Sequence, residues 1–338
     1  MRGSPTGAAA TAVLLAACTS LFIGPDTDFD RTGLLDHVWR DLDRHYSLFV
    51  VKTADWDSLH DVYIPLGAQA PTDSALADVV GAMLSELHDI HVSLRAGSQL
   101  YRYTGFDVRP AFFDPGVVAN YMTDRGPAPN GHMAFGHMEP EIGHIWILHF
   151  ARSGFDTDID TALARLADVR ALIVDVRDNP GGQLENVVTV ASRFADRDRT
   201  YAFRSFRDGP SHDDLSPPEP LVVSPQGARR FRGPVVVLTN RRSMSAAEVF
   251  VLAMRALPNV TIVGDSTAGG SGSPATRELP NGWTYRFPAS LLYDADLLPF
   301  EEIGLVPDIW VRGSSAELAA GRDAALDTAL AVIRRALP

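Results

Sequence analysis

The sequence predicts an α/β fold with a small helical domain before it, and three features support this. Two amphipathic helical patterns, beginning near Leu34 and Leu76, occupy the N-terminal part of the chain. From Ile142 onward, short apolar runs alternate with helical patterns, as in proteins built of alternating strands and helices. The runs that begin at Ala171 and Val235 are long enough and apolar enough for strands buried inside a sheet.

Four regions are predicted along the 338 residues. They are a lipoprotein-type signal and tether (1–24), an N-terminal helical domain (25–96), a β-hairpin linker region (97–142) and an α/β core (143–338). The linker is rich in Gly, Pro and Asn and contains short strand-like runs such as residues 116–121. Within the helical domain, residues 46–63 are expected to be a connector, and within the core, residues 204–232 are expected to form a polar loop.

Composition excludes several classes of protein. The formal net charge is −12 and no basic cluster offsets it, which argues against a nucleic-acid partner. No segment has the ~20 consecutive apolar residues of a membrane-spanning helix. Cys18 is the only cysteine, so no disulfide can form within the chain, and Lys52 is the only lysine.

The first residues resemble a bacterial export signal. Arg2 precedes an alanine-rich stretch, and the tetrad 15–18, Leu-Ala-Ala-Cys, resembles the lipobox in which the cysteine becomes the lipidated first residue. This predicts a protein exported to the cell envelope and anchored to a membrane through Cys18. An ordinary cleaved signal peptide and an alanine-rich start without such a role are the alternatives.

Ser245 is the candidate nucleophile. It lies where the apolar strand from Val235 passes, through a polar break, into a helical pattern beginning at Ala246. Free N–H groups and the positive end of the helix dipole gather there, so the Ala246 amide can help to hold an oxyanion. The alternative is structural, because Ser245 followed three residues later by Glu248 is also a capping-box pattern.

A second turn, Asn179-Pro180-Gly181-Gly182, joins another buried strand to a helix. Glycines let the backbone approach a ligand closely and direct N–H groups at an anion. The turn therefore predicts either half of an oxyanion hole, completed by Ala246, or only a tight connection. A phosphate-binding loop is excluded, because no lysine follows the glycines at the required spacing.

Taken in order, these motifs resemble the tail-specific, or C-terminal processing, serine peptidase family. The resemblance covers residues 34–335 and rests on Asp-x-His at 89–91, DVRDNPGG, TNRRSMSAAE, VGDSTAGG and FEEIGLVPD. It implies a crotonase-like (ClpP/crotonase-type) core of repeated ββα units. It also implies that Ser245 is the nucleophile and that Gly181 or Gly182 supplies the glycine-turn amide. Residues 97–142 are too few to hold the PDZ domain that many of these peptidases carry.

The resemblance also implies which branch of the family supplies the base. Where processing peptidases have a lysine, this chain has Gly270, so a serine–lysine dyad is not expected. The tricorn-like branch uses a histidine base and a supporting glutamate, which correspond to His91 and Glu301. Spacing alone favours Glu301 over its neighbour Glu302. The tricorn type has a serine immediately before its histidine, and this chain has Ile90. Ser93 or Asp89 could substitute for that serine.

The sequence therefore predicts a lipid-anchored serine endopeptidase acting on exported or unfolded polypeptides through Ser245, His91 and Glu301. The fold also occurs in interphotoreceptor retinoid-binding protein, so a non-catalytic binding module remains an alternative, as does an esterase or amidase. No cofactor is implied. A metal site is also not expected, although histidines at 88, 91, 144 and 149 could supply ligands, because no third ligand is marked.

Overall fold

A computed structural model of the chain describes residues 30–107 and 109–337. Cys18 and the predicted signal therefore lie outside the described residues. The helices are α1 (Arg31–His45), α2 (Trp56–Gln69), α3 (Asp73–Ser85), α4 (Pro115–Asn120), α5 (Phe155–Arg165), α6 (Leu184–Ala191), α7 (Ala246–Arg255), α8 (Ser315–Ala319) and α9 (Ala324–Ala336). The strands are β1 (Ser93–Ala96), β2 (Gln99–Arg102), β3 (Gly126–Pro127), β4 (Met133–Glu139), β5 (Ile142–Ile147), β6 (Ala171–Asp175), β7 (Arg199–Phe206), β8 (Glu219–Val223), β9 (Val235–Thr239), β10 (Val260–Gly264), β11 (Pro274–Glu278), β12 (Thr284–Pro288), β13 (Ser290–Tyr293) and β14 (Ile309–Trp310).

The N-terminal domain is helical, as predicted. Side chains at the N-caps of α1, α2 and α3 accept backbone N–H groups, and these residues are Asp30, Asp55 and Thr72. The predicted connector was wrong in part, because α2 occupies residues 56–69. Its apolar positions form a weak stripe and Pro65 lies inside it, so the sequence pattern concealed a helix that packs against α1.

A seven-stranded sheet in the order β14-β10-β9-β6-β5-β4-β3 forms the α/β core. Strands β14, β10, β9, β6 and β5 pair in parallel, and β4 and β3 are antiparallel. Strands β6 and β9 are buried along their whole length because helices cover both faces of the sheet. Helices α5, α6 and α7 share a core with one face, and α9 packs on the other.

The predicted linker, residues 97–142, does not form a separate unit. Strand β4 pairs with β5, so the predicted boundary at residue 143 divides two neighbouring strands of one sheet. The strand-like run at 116–121 is the helix α4. Asp114 accepts a hydrogen bond from Gly116 N at 2.7 Å and Pro115 occupies the first turn, a favourable helix start that the apolar residues concealed. The predicted polar loop at 204–232 contains β8, which pairs with β7.

A four-stranded sheet, β11-β12-β1-β2, joins the two domains. Strand β1 leaves the helical domain and pairs antiparallel with β12, in the register Ser93 to Arg286. Tyr285 and Phe287 of β12 accordingly belong to the hydrophobic core of the helices. This pairing carries the end of the helical domain to the carboxyl edge of the main sheet.

Three loops meet at that edge because they follow adjacent parallel strands. The turn at 179–182 follows β6, the turn at 240–245 follows β9, and the glycine-rich loop at 265–272 follows β10. The crevice beyond the carboxyl ends of parallel strands is where open α/β sheets hold ligands. Within the described residues, no helix is long and apolar enough to cross a membrane.

Candidate active site

Ser245 stands at the start of α7 in a backbone conformation that serine seldom adopts, with φ 57° and ψ −121°. Its Oγ lies 2.9 Å from Nε2 of His91, although the two residues are 154 positions apart in sequence. Glu248 N, the third amide of α7, donates to the backbone oxygen of Ser245 at 2.8 Å. The hydroxyl of Ser245 therefore remains available to the imidazole.

Neighbouring hydrogen bonds hold the Ser245 turn in place. Ser243 Oγ donates to Val176 O at 2.8 Å, and Met244 N donates to Asn179 O at 3.0 Å. Both bonds tie the turn after β9 to the segment after β6. Such over-determination by the surroundings is what allows a strained residue to persist at a functional site.

Glu248 supplies the other half of the predicted capping box and extends it. Its buried carboxylate accepts hydrogen bonds from four donors: Ser245 N at 2.9 Å, Thr267 Oγ1 at 2.6 Å, Gly269 N at 2.8 Å and Gly270 N at 2.9 Å. One side chain thus fastens the start of α7 to the glycine-rich loop. Burial raises the pKa of Glu248 to about 7, although its four donors favour the ionised form.

The glycine turn that holds two of the predicted oxyanion donors approaches the Ser245 turn at Gly181, and hydrogen bonds distinguish the donors. A Cβ added to Gly181 would come within 2.8 Å of Ala246 N, so the glycine turn and the start of α7 nearly touch. Gly181 N already donates to Asn179 Oδ1 at 2.8 Å. Among the described residues, no acceptor is recorded for the N–H groups of Gly182 or Ala246. This favours Gly182 over Gly181 as the partner of Ala246.

His91 is held through its backbone and its Nε2 atom. Its N–H donates to Asp89 Oδ1 at 2.7 Å, and the buried Asp89 also accepts Tyr46 OH at 2.8 Å. Nδ1 has no hydrogen-bond partner in the described part of the chain, and Asp89 Oδ1 lies 4.0 Å away. Neither Asp89 nor Ser93 therefore has a recorded hydrogen bond to Nδ1. Burial lowers the pKa of His91, although the Asp89 carboxylate opposes this shift.

Glu301 lies in the site without a recorded hydrogen bond to the His91 ring. Its Oε2 accepts Ser271 N at 2.7 Å, and its Oε1 lies 2.8 Å from Nζ of Lys52. Burial and the Asp89 charge raise the pKa of Glu301 above its ordinary value, although the Lys52 ammonium opposes this shift. Burial lowers the pKa of Lys52, but Asp89 and Glu301 outweigh it and the net shift is upward. The distance of 2.8 Å between Lys52 Nζ and Glu301 Oε1 in a buried site favours the ion-paired form of the two groups.

Glu302, the competing carboxylate, is half-exposed and also binds Lys52 at 2.8 Å. Glu302 contacts the glycine-rich loop through its backbone N–H, which donates to Gly269 O, whereas Glu301 contacts it through its carboxylate. Lys52 lies far from both glutamates in the sequence. Its third recorded partner is the backbone oxygen of His88 at 3.4 Å. The lysine contacts the carboxylates of the site and has no recorded bond to Ser245.

Ile90 fills the space where processing peptidases carry a lysine. A Cβ added to Gly270 would meet Ile90 Cδ1 at 2.0 Å and His91 Cε1 at 3.6 Å. A side chain at position 270 is thus incompatible with Ile90 in its present place. The close packing of Ile90 on Gly270 therefore leaves no room for a lysine at position 270.

Sequence reasoning missed the functions of Glu248 and Lys52. Glu248 was recognised only as a capping-box residue, because its bonds to Thr267 and Gly270 link segments distant in sequence. The isolation of Lys52 as the only lysine was visible, but nothing in the pattern placed it near Glu301. No group of three or more metal-ligating side chains occurs within residues 30–107 and 109–337.

Comparison with known proteins gives consistent results. The model of Peptidase family S41 matches residues 141–311, half of the chain, and the model of the Tricorn protease C1 domain matches residues 29–85. A crystal structure of a candidate peptidase from Parabacteroides merdae is 34% identical, with a TM-score of 0.82, covering 90% of this chain and 97% of that one.

Other relatives are more distant. A lipoprotein from Streptococcus agalactiae shares the fold, with 14% identity and a TM-score of 0.61 over 92% of this chain and 98% of that one. The carboxy-terminal processing protease CtpA of Bacillus subtilis is 26% identical over 50% of this chain. That match covers 34% of the Bacillus protein, so the chain spans about a third of this relative's length.

Proposed function

Because this chain belongs to Peptidase family S41, with the α/β fold of that family and an N-terminal helical region, we propose that it is a serine endopeptidase that cleaves exported or unfolded polypeptides. The observation that supports this most strongly is the 2.9 Å contact between Ser245 Oγ and His91 Nε2. A plain helix cap has no need of a buried imidazole contributed by another domain. A nucleophile needs such a base within hydrogen-bond reach.

The reaction begins when Ser245 Oγ attacks the carbonyl carbon of the scissile peptide bond. His91 Nε2 accepts the hydroxyl proton, and the carbonyl electron pair moves onto oxygen. The N–H groups of Gly182 and Ala246 stabilise the resulting oxyanion. The carbon–nitrogen bond then breaks as the imidazolium of His91 donates its proton to the leaving amine. Water, deprotonated by the same imidazole, hydrolyses the acyl-enzyme and regenerates Ser245.

Glu301 supports these reaction steps through electrostatics alone. Its negative charge, held by Lys52, favours the imidazolium that forms during each half-reaction. Asp89 adds a second negative charge at 4.0 Å from Nδ1. Neither carboxylate moves a proton in this scheme, because each only stabilises charge on His91.

The test separates a nucleophile from a cap. Ser245→Ala and Ser245→Asp are compared with wild type for hydrolysis of an unfolded protein and of a short-chain ester, and for melting temperature. We expect both variants to lose hydrolysis and labelling by a serine-directed fluorophosphonate, while wild type is labelled on Ser245. Aspartate is itself a good cap, so a cap alone predicts that Ser245→Asp is tolerated and that Ser245→Ala costs ~0.5–2 kcal/mol of stability.

Full activity in Ser245→Ala would exclude the mechanism. Cleavage of the ester without cleavage of the unfolded protein would favour an esterase. Absence of both activities and of labelling in wild type would favour a binding module.

Export and membrane anchoring through Cys18 are part of the proposal and rest on the tetrad at 15–18. Cys18→Ser should shift the protein from the membrane fraction to the soluble exported fraction. Identical partitioning of wild type and variant would exclude the lipid anchor.

A further inference from the structure

Two buried polar atoms in the site lack a hydrogen-bond partner within the described residues: His91 Nδ1 and Ser271 Oγ. Leaving a buried polar group unsatisfied costs about 1–3 kcal/mol. The proposed mechanism uses Nε2 of His91 and assigns no role to Ser271. The two atoms belong to segments that contact each other, so one interaction between them could satisfy both.

Ser271 lies between the imidazole and Glu301. It directly follows Gly270, whose added Cβ would lie 3.6 Å from His91 Cε1. An interaction between the backbone of Ser271 and the His91 ring raises the pKa of that ring. The Ser271 N–H donates to Glu301 Oε2 at 2.7 Å. One residue therefore contacts both the base and the carboxylate, which do not contact each other.

The chemistry of a serine hydroxyl suits this position. It donates one hydrogen bond and accepts others, and rotation about a single bond, Cα–Cβ, redirects it. A hydroxyl turned between the two groups would accept from Nδ1–H and donate to the Glu301 carboxylate. Lys52 already occupies Oε1 of Glu301, which leaves Oε2, the oxygen nearest Ser271, to receive that bond.

We propose that Ser271 is a positioning residue whose hydroxyl bridges His91 Nδ1 to Glu301, so that the serine absent at position 90 is supplied from the glycine-rich loop. The inference rests on the proposed function. The bridge keeps the proton on Nδ1 and presents the lone pair of Nε2 to Ser245. No proton passes along it: the Nδ1 proton stays on His91 and the hydroxyl proton stays on Ser271. Asp89 is less suited, because its Oδ1 is engaged by the His91 N–H and lies 4.0 Å from Nδ1.

The kinetic test uses Ser271→Ala, Glu301→Gln and the double variant. Ser205→Ala is the matched control, because Ser205 Oγ is another buried hydroxyl without a recorded partner and lies in β7, which belongs to a different sheet. We expect Ser271→Ala to lower kcat by about 10- to 100-fold with little change in KM, the size of effect seen when an outer partner of a functional histidine is removed. In the Glu301→Gln background the same change should cost much less, because the two groups act as one unit. Ser205→Ala should leave kcat unchanged.

A second readout does not depend on hydrolysis. The pKa of His91 is measured by NMR in a Ser245→Ala background, with and without Ser271→Ala. The charged groups that act on His91 are Asp89, Lys52 and Arg286, with Glu301 beyond Ser271, and Ser271→Ala changes none of these charges. Loss of a hydrogen bond that favours the imidazolium should lower the pKa of His91.

An unchanged pKa of His91, or an unchanged kcat in an active enzyme, would overturn the bridge. Additive losses in Ser271→Ala and Glu301→Gln would also overturn it, because they would show independent roles. If wild type hydrolyses nothing while Ser271→Ala lowers the pKa of His91, the proposed function fails and the bridge stands.

Discussion

At the scale of single residues, three of the six described non-glycine residues with a positive φ contribute to the site. Ser245, Glu302 and His88 all have positive φ values without being glycine. A non-glycine residue in this region costs on the order of 1–3 kcal/mol. Ser245 carries the proposed nucleophile, and the other two residues supply ligands to Lys52. The strain therefore falls on residues that place the nucleophile or hold the supporting ion pair.

The close packing of Ile90 on Gly270 gives a prediction at the residue scale. Gly270→Ala would place Cβ 2.0 Å from Ile90 Cδ1, so the isoleucine must move and carry His91 with it. Overpacking of this kind costs about 1–3 kcal/mol. We expect Gly270→Ala to reduce kcat/KM and the melting temperature, and Ile90→Ala combined with Gly270→Ala to recover part of both.

The double variant is informative because it removes the clash without restoring the native residues. Measurement of kcat/KM for the two single variants and the double variant gives the coupling directly. Additive losses would show that the two positions do not compete for the same space.

Ser245 and His91 were identifiable from the sequence because each lies in a local motif of a known family. Their contact at 2.9 Å agrees with that expectation. The placement of Lys52 was not identifiable, since its partner Glu301 is 249 positions away and a single lysine has no pattern. The choice between Gly181 and Gly182 also required coordinates, because it depends on where the Asn179 side chain turns.

At the scale of elements, three successive carboxyl ends of parallel strands build the site. Glu248 connects two of them, because it receives N–H groups from the Ser245 turn and from the glycine-rich loop. All four recorded partners of its carboxylate are donors. The ionised form satisfies all of them, whereas a protonated carboxyl must give up one contact.

This arrangement predicts a pH dependence that belongs to Glu248. Its pKa of about 7 in the folded protein exceeds its ordinary value of 4.5. The folded state therefore binds more protons than the unfolded chain between these values, and this group makes the free energy of unfolding fall as pH rises from 4.5 to about 7. Activity should nevertheless rise as pH passes about 7, because ionised Glu248 holds both loops. Glu248→Gln should abolish that inflection and leave the one from His91, which lies at lower pH.

In Glu248→Gln an NH₂ group replaces one carboxylate oxygen and faces the two groups that donated to that oxygen. The variant should therefore destabilise the protein by about 1–3 kcal/mol. Glu185→Gln is the control, since Glu185 is an exposed acid in the first turn of α6. Denaturant unfolding and kcat/KM between pH 5 and 9 provide the measurements. Persistence of the inflection near pH 7 in Glu248→Gln would assign it to another group.

Elements with a strong local signal were predictable, and those with mixed signals were not. Strands β6 and β9 and helix α7 are long apolar runs with one consistent period, and they occur where expected. Helices α2 and α4 were missed because Pro65 interrupts one and a valine pair in the other suggested a strand. The pairing of β4 with β5 was also missed, because strand pairing depends on contacts that a local sequence pattern does not reveal.

At the scale of the whole molecule, the helical domain contributes the proposed base, His91, and the core contributes the proposed nucleophile, Ser245. Several connections fix their relative position, among them the pairing of β1 with β12 and the ion pair of Lys52 with Glu301. The β pairing is a continuous backbone ladder, whereas the ion pair is a buried contact between single side chains. The proposed catalytic pair of Ser245 and His91 therefore spans an interface between the domains.

The ion pair gives the last prediction. Lys52 and Glu301 are each only 1% exposed in their side chains. Lys52→Met leaves the buried Glu301 charge unpaired and should destabilise the protein by about 3–5 kcal/mol. Glu301→Met leaves Lys52 paired with Glu302 and should cost less. The double variant should lose less than the sum of the two single variants. Without Lys52 the pKa of Glu301 rises further above its unfolded value, so the destabilisation in Lys52→Met should shrink as pH falls and the carboxyl becomes neutral. Activity should not follow stability, because the double variant restores packing and still lacks the Glu301 charge beside Ser271. Denaturant unfolding at pH 5 and pH 9, with kcat measured on the same preparations, separates the two effects. A double variant as unstable as the sum of the single variants would show that Lys52 and Glu301 do not stabilise the protein as a pair. A double variant that recovers full kcat would show that the Glu301 charge does not serve His91.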